Sequence, residues 1–90
     1  MASRAAPGLP MPTIFLYDGF QFFFYSNEGE PREPMHVHVM KGGREAKFWL
    51  GPEVTLARSR GFDARTLARL ERVVAARREL IERAWPEYFG

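Results

Sequence analysis

The sequence predicts an α+β fold, in which an antiparallel sheet of four to five strands, built from two hairpins, carries one long C-terminal helix packed on one face. Two patterns indicate this class. Aromatic and β-branched residues form short strand-like runs in the first two thirds of the chain, and from Asp63 the apolar residues recur at helical spacing. The 90 residues include no cysteine, so apolar burial rather than disulfide bonds must stabilise the single small core.

The first hairpin joins residues 13–17 to residues 20–25 through Asp18-Gly19. An Asp-Gly pair between apolar runs favours a two-residue turn, because both central residues need a positive φ. That turn pairs Tyr17 with Phe20, Phe15 with Phe22, and Thr13 with Phe24. Both faces of this hairpin are apolar, so either the hairpin is covered on both sides or one side is offered to a partner. The candidate partner-binding residues are Phe23, Tyr25 and, later in the chain, Trp49.

The second hairpin joins residues 36–40 to residues 45–50 around Gly42-Gly43. Its register places His36 opposite Trp49 and His38 opposite Lys47, on the solvent-side face of the third strand. Residues 54–56 then predict a short fifth strand, which ends before the segment from residue 58 to residue 62.

The helix should begin after Asp63, which is a favourable N-cap residue. It should end near Trp85, because Pro86 disfavours helical geometry in the residue before it. Residues 1–10 are poor in side chains that pack and predict a flexible tail, which leaves residues 11–90 as one domain.

His36 and His38 are the two histidines of the chain, and their spacing places both imidazoles on one face of a strand. They could act as an acid–base pair, with Lys47 steadying a phosphate charge. We favour a structural role, with His36 stacked on Trp49 and His38 bonded to a carbonyl or glutamate of the loop before the strand. A metal site would need further ligands, from Asp18 or the loop residues Glu28, Glu30 and Glu33, and the spacing matches no recognised motif, so we predict neither metal nor cofactor.

Charge gives a weaker indication of function. The sequence has 13 basic and 11 acidic residues, which is a smaller excess than nucleic-acid-binding arms show. Arg58 and Arg60 precede the expected helix start, where backbone N–H groups favour anions, and are candidate phosphate-binding residues. The sequence shows neither a long apolar run nor the apolar centre of a signal peptide, so we expect no membrane partner and a cytoplasmic location.

Several segments in order resemble the domain of unknown function 4160 family: Met11-Pro12-Thr13-Ile14, Phe22-Phe23-Phe24-Tyr25-Ser26-Asn27-Glu28, Pro34-Met35-His36-Val37-His38-Val39, Ala46-Lys47-Phe48-Trp49-Leu50, Arg60-Gly61-Phe62 and Ala84-Trp85. The resemblance covers residues 11–89, and it departs at Met35, where many relatives have a second proline. It implies a small bacterial protein, without an established biochemical role, that is often one half of a two-gene pair of the toxin–antitoxin kind.

Two hypotheses follow from these observations. In the first, which we favour, the protein is an interaction module that binds a protein partner or a second copy of itself through the aromatic face. In the second, it is a small ribonuclease-like enzyme that uses His36 and His38 as its acid–base pair, with Lys47, Arg58 or Arg60 near the phosphate.

Overall fold

The computed structural model describes residues 13–25 and 33–89. Five strands form one antiparallel sheet in the order β1-β2-β3-β4-β5, and two helices follow, so the predicted α+β class is confirmed. The elements are β1 (Thr13–Tyr17), β2 (Phe20–Phe23), β3 (His36–Lys41), β4 (Arg44–Leu50), β5 (Val54–Arg60), α1 (Ala64–Ala76) and α2 (Arg78–Phe89). The predicted tail, residues 1–10, lies outside the described residues.

Both predicted hairpin turns are present. Asp18 and Gly19 have φ of 49° and 80°, and Gly42 and Gly43 have φ of 55° and 83°. Two successive positive φ values are typical of the tight turn whose twist matches the flanking strands. The second turn fixes the register predicted for its hairpin, including His36 opposite Trp49.

The first hairpin departs from its predicted register at one end. Tyr17 pairs with Phe20 and Phe15 with Phe22, but Thr13 pairs with Phe23 instead of Phe24, because the register shifts between Thr13 and Phe15. Such an irregularity places an extra residue in one strand and turns the chain beyond it. The extra residue here is Ile14 of β1, and strand β2 ends at Phe23.

Strand β5 is longer than the predicted run of residues 54–56, and it continues to Arg60. It too contains an irregularity: Phe48 pairs with Leu56 while Lys47 pairs with Arg58, which leaves Ala57 as the extra residue. The ladder resumes after this bulge, so Arg58 and Arg60 lie in a strand rather than in a loop before the helix.

The single long helix predicted from the sequence is matched only loosely, because the structure differs from it in two respects. The helix is interrupted at Arg77, whose φ and ψ are −106° and 21° and whose N–H bonds to the carbonyls of the preceding turn. The guanidinium of Arg77 lies 4.9 Å from the Phe15 ring centroid, so the interruption lies against the first strand.

The second helix also continues through Pro86 to Phe89 instead of ending at Trp85. Proline removes one backbone hydrogen bond from a helix, and tertiary packing offsets that loss here. Phe24 packs against three aromatic residues of the last turns of α2, with ring centroids 5.2 Å away for Trp85, 5.8 Å for Tyr88 and 5.5 Å for Phe89.

The core lies between the helices and the sheet face that carries Val37 and Val39. Leu70 and Val74 from α1 and Ile81 from α2 are fully buried in it. Its sheet side is formed by apolar residues of four strands, namely Phe20, Phe22, Val37, Val39, Ala46, Phe48, Leu50 and Val54, with Phe24 just after β2. Because side chains alternate along a strand, His36 and His38 point away from this core.

Candidate functional site

The opposite sheet face, which we call the histidine face, carries His36, His38, Lys47 and Trp49, and beside them Arg58 of β5. The sequence predicted this face to be on the solvent side. That expectation is wrong for its centre, because both histidines have 0% exposed surface and Lys47 only 5%. Aromatic residues from β2, from the segment after it and from α2 pack on the two imidazoles.

His36 connects the sheet to the second helix. Its ring centroid lies 5.6 Å from that of Trp49 and 5.3 Å from that of Trp85, in edge-to-face geometry. Its Nδ1 lies 2.9 Å from the carbonyl oxygen of Pro34. A carbonyl can only accept, so Nδ1 carries the proton in this hydrogen bond. The prediction of a structural role gave the hydrogen bond to a loop carbonyl to His38. In the structure His36 makes this bond.

His38 lies under two aromatic rings of the neighbouring strand and its extension. Its ring centroid is 5.5 Å from that of Phe23 and 4.5 Å from that of Tyr25. Its Nδ1 is 3.7 Å from Oε2 of Glu45, and the Tyr25 hydroxyl donates a hydrogen bond of 2.7 Å to the same oxygen. Tyr25, His38 and Glu45 therefore form one polar cluster on the histidine face.

Lys47 takes part in a second polar cluster. Its Nζ donates a 3.0 Å hydrogen bond to Oε1 of Glu33 and lies 4.4 Å from the Trp49 ring centroid. The same glutamate oxygen is 3.8 Å from Nδ1 of His36. The buried ammonium is thus compensated by a carboxylate and an aromatic face, as a buried cation requires. This pairing ties Glu33, which lies three residues before the start of β3, to the middle of β4.

A cavity of about 260 Å³ opens on the histidine face beside β5. Five of its lining residues are candidates predicted from the sequence, namely Tyr25, His38, Lys47, Arg58 and Arg60. The other lining residues are Glu45, Ala46 and Ser59. The histidine forms part of the wall but has no exposed surface, whereas the Arg60 side chain is 75% exposed. Arginine side chains therefore dominate the accessible part of the cavity.

Glu45 is the site residue that sequence reasoning missed. It pairs with Arg60 across the β4–β5 ladder, and its Oε1 lies 3.9 Å from an arginine nitrogen there. Strand alternation could have found it, since it lies two residues before Lys47 and hence on the same face. Its pairing with Arg60 lies beyond the predicted end of β5.

The remaining candidate residues lie outside this cavity. Phe23 is fully buried and has no surface to offer a partner, because it packs against His38 and Tyr25. Trp49 is half-buried, beside Lys47 and His36. Of the three aromatic residues predicted to bind a partner, only Tyr25 and Trp49 have accessible surface.

The start of α1 is already occupied by a carboxylate of the chain itself. Oδ1 of Asp63 accepts a 2.8 Å hydrogen bond from the backbone N–H of Thr66, so the predicted N-cap is confirmed. That hydrogen bond holds the pKa of Asp63 below its ordinary value. Arg58 and Arg60 face the cavity from β5, so an anion bound to them would not share the helix start.

Residues 13–25 and 33–89 contain no group of three or more histidine, aspartate or glutamate side chains arranged to hold a metal ion. Two of the glutamates considered as further ligands, Glu28 and Glu30, lie outside the described residues. Neither α1 nor α2 is long and apolar enough to cross a membrane, and these are the helices that the structure describes.

The model of one protein family, Domain of unknown function (DUF4160), matches residues 19–86. The chain belongs to this family. The residues that the DUF4160 model matches include all of β2 to β5, and every residue that lines the cavity lies within them. Comparison with curated proteins and with solved structures gives no match.

Proposed function

We propose that this DUF4160 protein is a small bacterial interaction module that acts in the cytoplasm as one component of a two-gene pair of the toxin–antitoxin kind. The observation that carries this proposal is the open cavity beside β5, in which the exposed charges belong to Arg58 and Arg60. Exposed arginine beside aromatic surface is typical of the residues that dominate protein interfaces.

The burial of the two histidines supports binding over catalysis. A general acid or base must reach the proton that it transfers. The imidazoles of His36 and His38 have no exposed surface, and Lys47 is paired with Glu33. A ligand in the cavity therefore meets the arginines first.

One observation favours the ribonuclease-like alternative. The cavity collects Tyr25, His38 and Lys47 within one wall, and the two arginines lie beside them. A hydroxyl, an imidazole and several cations are groups that phosphodiester cleavage can use. The alternative assigned acid–base chemistry to His36 and His38; because both are buried, Tyr25 beside His38 would be the accessible proton-transfer group.

The interaction proposal is tested by co-purification from the source organism, with the complex mass measured by light scattering. We expect the wild-type chain to hold a partner at fixed stoichiometry, and we expect Arg58→Glu with Arg60→Glu to lose it. The matched control is Arg65→Glu with Arg72→Glu, which makes the same charge change at exposed positions of α1. A dimer mass for the purified chain would make the partner a second copy. A monomer that retains no partner would contradict the proposal.

The alternative is tested with a fluorogenic RNA substrate and the variant Tyr25→Phe, which keeps the ring that packs on Phe23 and His38. The enzyme hypothesis expects cleavage by the wild-type chain and its loss in the variant, with circular dichroism unchanged. Absence of cleavage by the folded wild-type chain would refute it.

A further inference from the structure

Strand β5 has a free edge in the part of the chain that the structure describes, since it pairs there only with β4. Such an edge presents a row of backbone N–H and C=O groups that can pair with another strand. Five of its seven residues are exposed, including Arg58, Ser59 and Arg60 at its end. Residues 58–60 also form one side of the cavity.

The charges at this end of β5 are unequally compensated. Lys47 pairs with Glu33, and the Glu45 carboxylate, which accepts a hydrogen bond from the Tyr25 hydroxyl, forms an ion pair with Arg60 at 3.9 Å. Within the described ranges Arg58 has no ion pair, and the Arg60 side chain remains 75% exposed although it pairs with Glu45. The accessible charge of the cavity is therefore cationic, so it complements an acidic occupant.

The bulge at Ala57 divides the edge in two. Bulges increase the local twist of a strand, and they limit how far a flat neighbouring strand can follow it. The half that faces the cavity is thus short, and a second copy of β5 placed there would bring like charges together. This argues against self-pairing and in favour of a different, acidic chain.

We propose that the free edge at Arg58, Ser59 and Arg60 binds an extended segment of a protein partner that carries two carboxylates separated by one residue. The spacing follows from strand geometry, because Arg58 and Arg60 lie on the same face and the residues opposite them in an added strand are also two apart. This inference rests on the proposed interaction function and names the chemistry of the partner segment.

The test uses two short synthetic peptides of one composition, made of valine and threonine with two glutamates. In one peptide a single residue separates the glutamates; in the control they are adjacent and so point to opposite faces of a strand. The control can still place one glutamate on the arginine face and so loses one cross-strand charge pair, and we expect the full chain to bind the alternating peptide about two- to fivefold more tightly in fluorescence anisotropy. Binding should also slow hydrogen exchange at those amides of residues 58–60 that point away from β4.

Protein variants separate strand addition from simple charge attraction. The double variant Arg58→Glu with Arg60→Glu should lose the preference for the alternating glutamate peptide and should bind more tightly a peptide with lysines in place of the glutamates. The control variant Arg65→Glu with Arg72→Glu should keep the wild-type affinity for each peptide. Equal affinity for the two peptides, or binding without slower exchange in β5, would overturn the inference. So would an unstructured RNA oligonucleotide that displaces the alternating peptide and binds more tightly. If a stable partner complex nevertheless survives, only the strand-addition mode is refuted, and the proposed function stands.

Discussion

Substitution of His36 by phenylalanine and by alanine should separate its packing role from its polar role. Phenylalanine retains a ring between Trp49 and Trp85 but loses the 2.9 Å bond to the Pro34 carbonyl. Pro34 is exposed, so water can replace the lost donor, and we expect a loss of about 1 kcal/mol in the free energy of unfolding. Alanine removes the ring as well, and a buried aromatic-to-alanine change costs about 3–5 kcal/mol.

Urea denaturation followed by tryptophan fluorescence is well suited to this comparison, because the two tryptophans of the chain are Trp49 and Trp85 and both contact His36. In thermal unfolding each kcal/mol should lower the midpoint by about 4–8 °C for a domain of this size. Leu80→Ala, at a position that is 41% exposed, is the control and should change the free energy of unfolding by only about 0.5 kcal/mol.

Two results would refute this account of His36. If the phenylalanine variant were as unstable as the alanine variant, the hydrogen bond rather than ring packing would dominate. If the alanine variant kept wild-type stability, the imidazole would not support the fold, and a chemical role for it would regain support.

Three further changes test the ends of the helices. Asp63→Ala should lower the unfolding midpoint at neutral pH; because the folded-state pKa is depressed below its ordinary value of 3.8, this difference should disappear as the pH falls through the folded-state value. Gly61→Ala should destabilise by about 1–3 kcal/mol, since φ is +96° and the new Cβ would lie 2.8 Å from Cγ of Arg44. Pro86→Ala should raise helical circular dichroism and stabilise by up to about 3 kcal/mol, by restoring a backbone hydrogen bond in α2.

Each of these expectations has a contrary result. A constant Asp63→Ala difference at all pH values would show that the carboxylate charge is not what caps α1. Wild-type stability of Gly61→Ala would mean that the backbone relaxes without strain. A less stable Pro86→Ala variant would show that the rigidity of proline, rather than the missing hydrogen bond, governs the last turns of α2.

The sheet could be predicted from the sequence because its determinants are local. Asp18-Gly19 and Gly42-Gly43 specify the tight turns, and period-two alternation then fixes which residues share a face. The helix boundaries were predicted less well, since they depend on contacts between distant segments. Arg77 lies on the Phe15 ring where the helix is interrupted, and Phe24 packs on the turns that continue past Pro86.

The difference between local patterns and contacts of distant segments also explains why the histidines, which were predicted to be exposed, are buried on the histidine face. Alternation placed His38 and Lys47 together correctly, but their burial depends on rings supplied by Tyr25 and Trp49 and on Glu33, and no local pattern shows that these groups converge. From the sequence, the chemistry of the imidazole groups made His36 and His38 the first candidates for the site. In the proposed function Arg58 and Arg60 of the edge strand β5 face the ligand because they are exposed, whereas the His-x-His segment belongs to the buried part of the same sheet face.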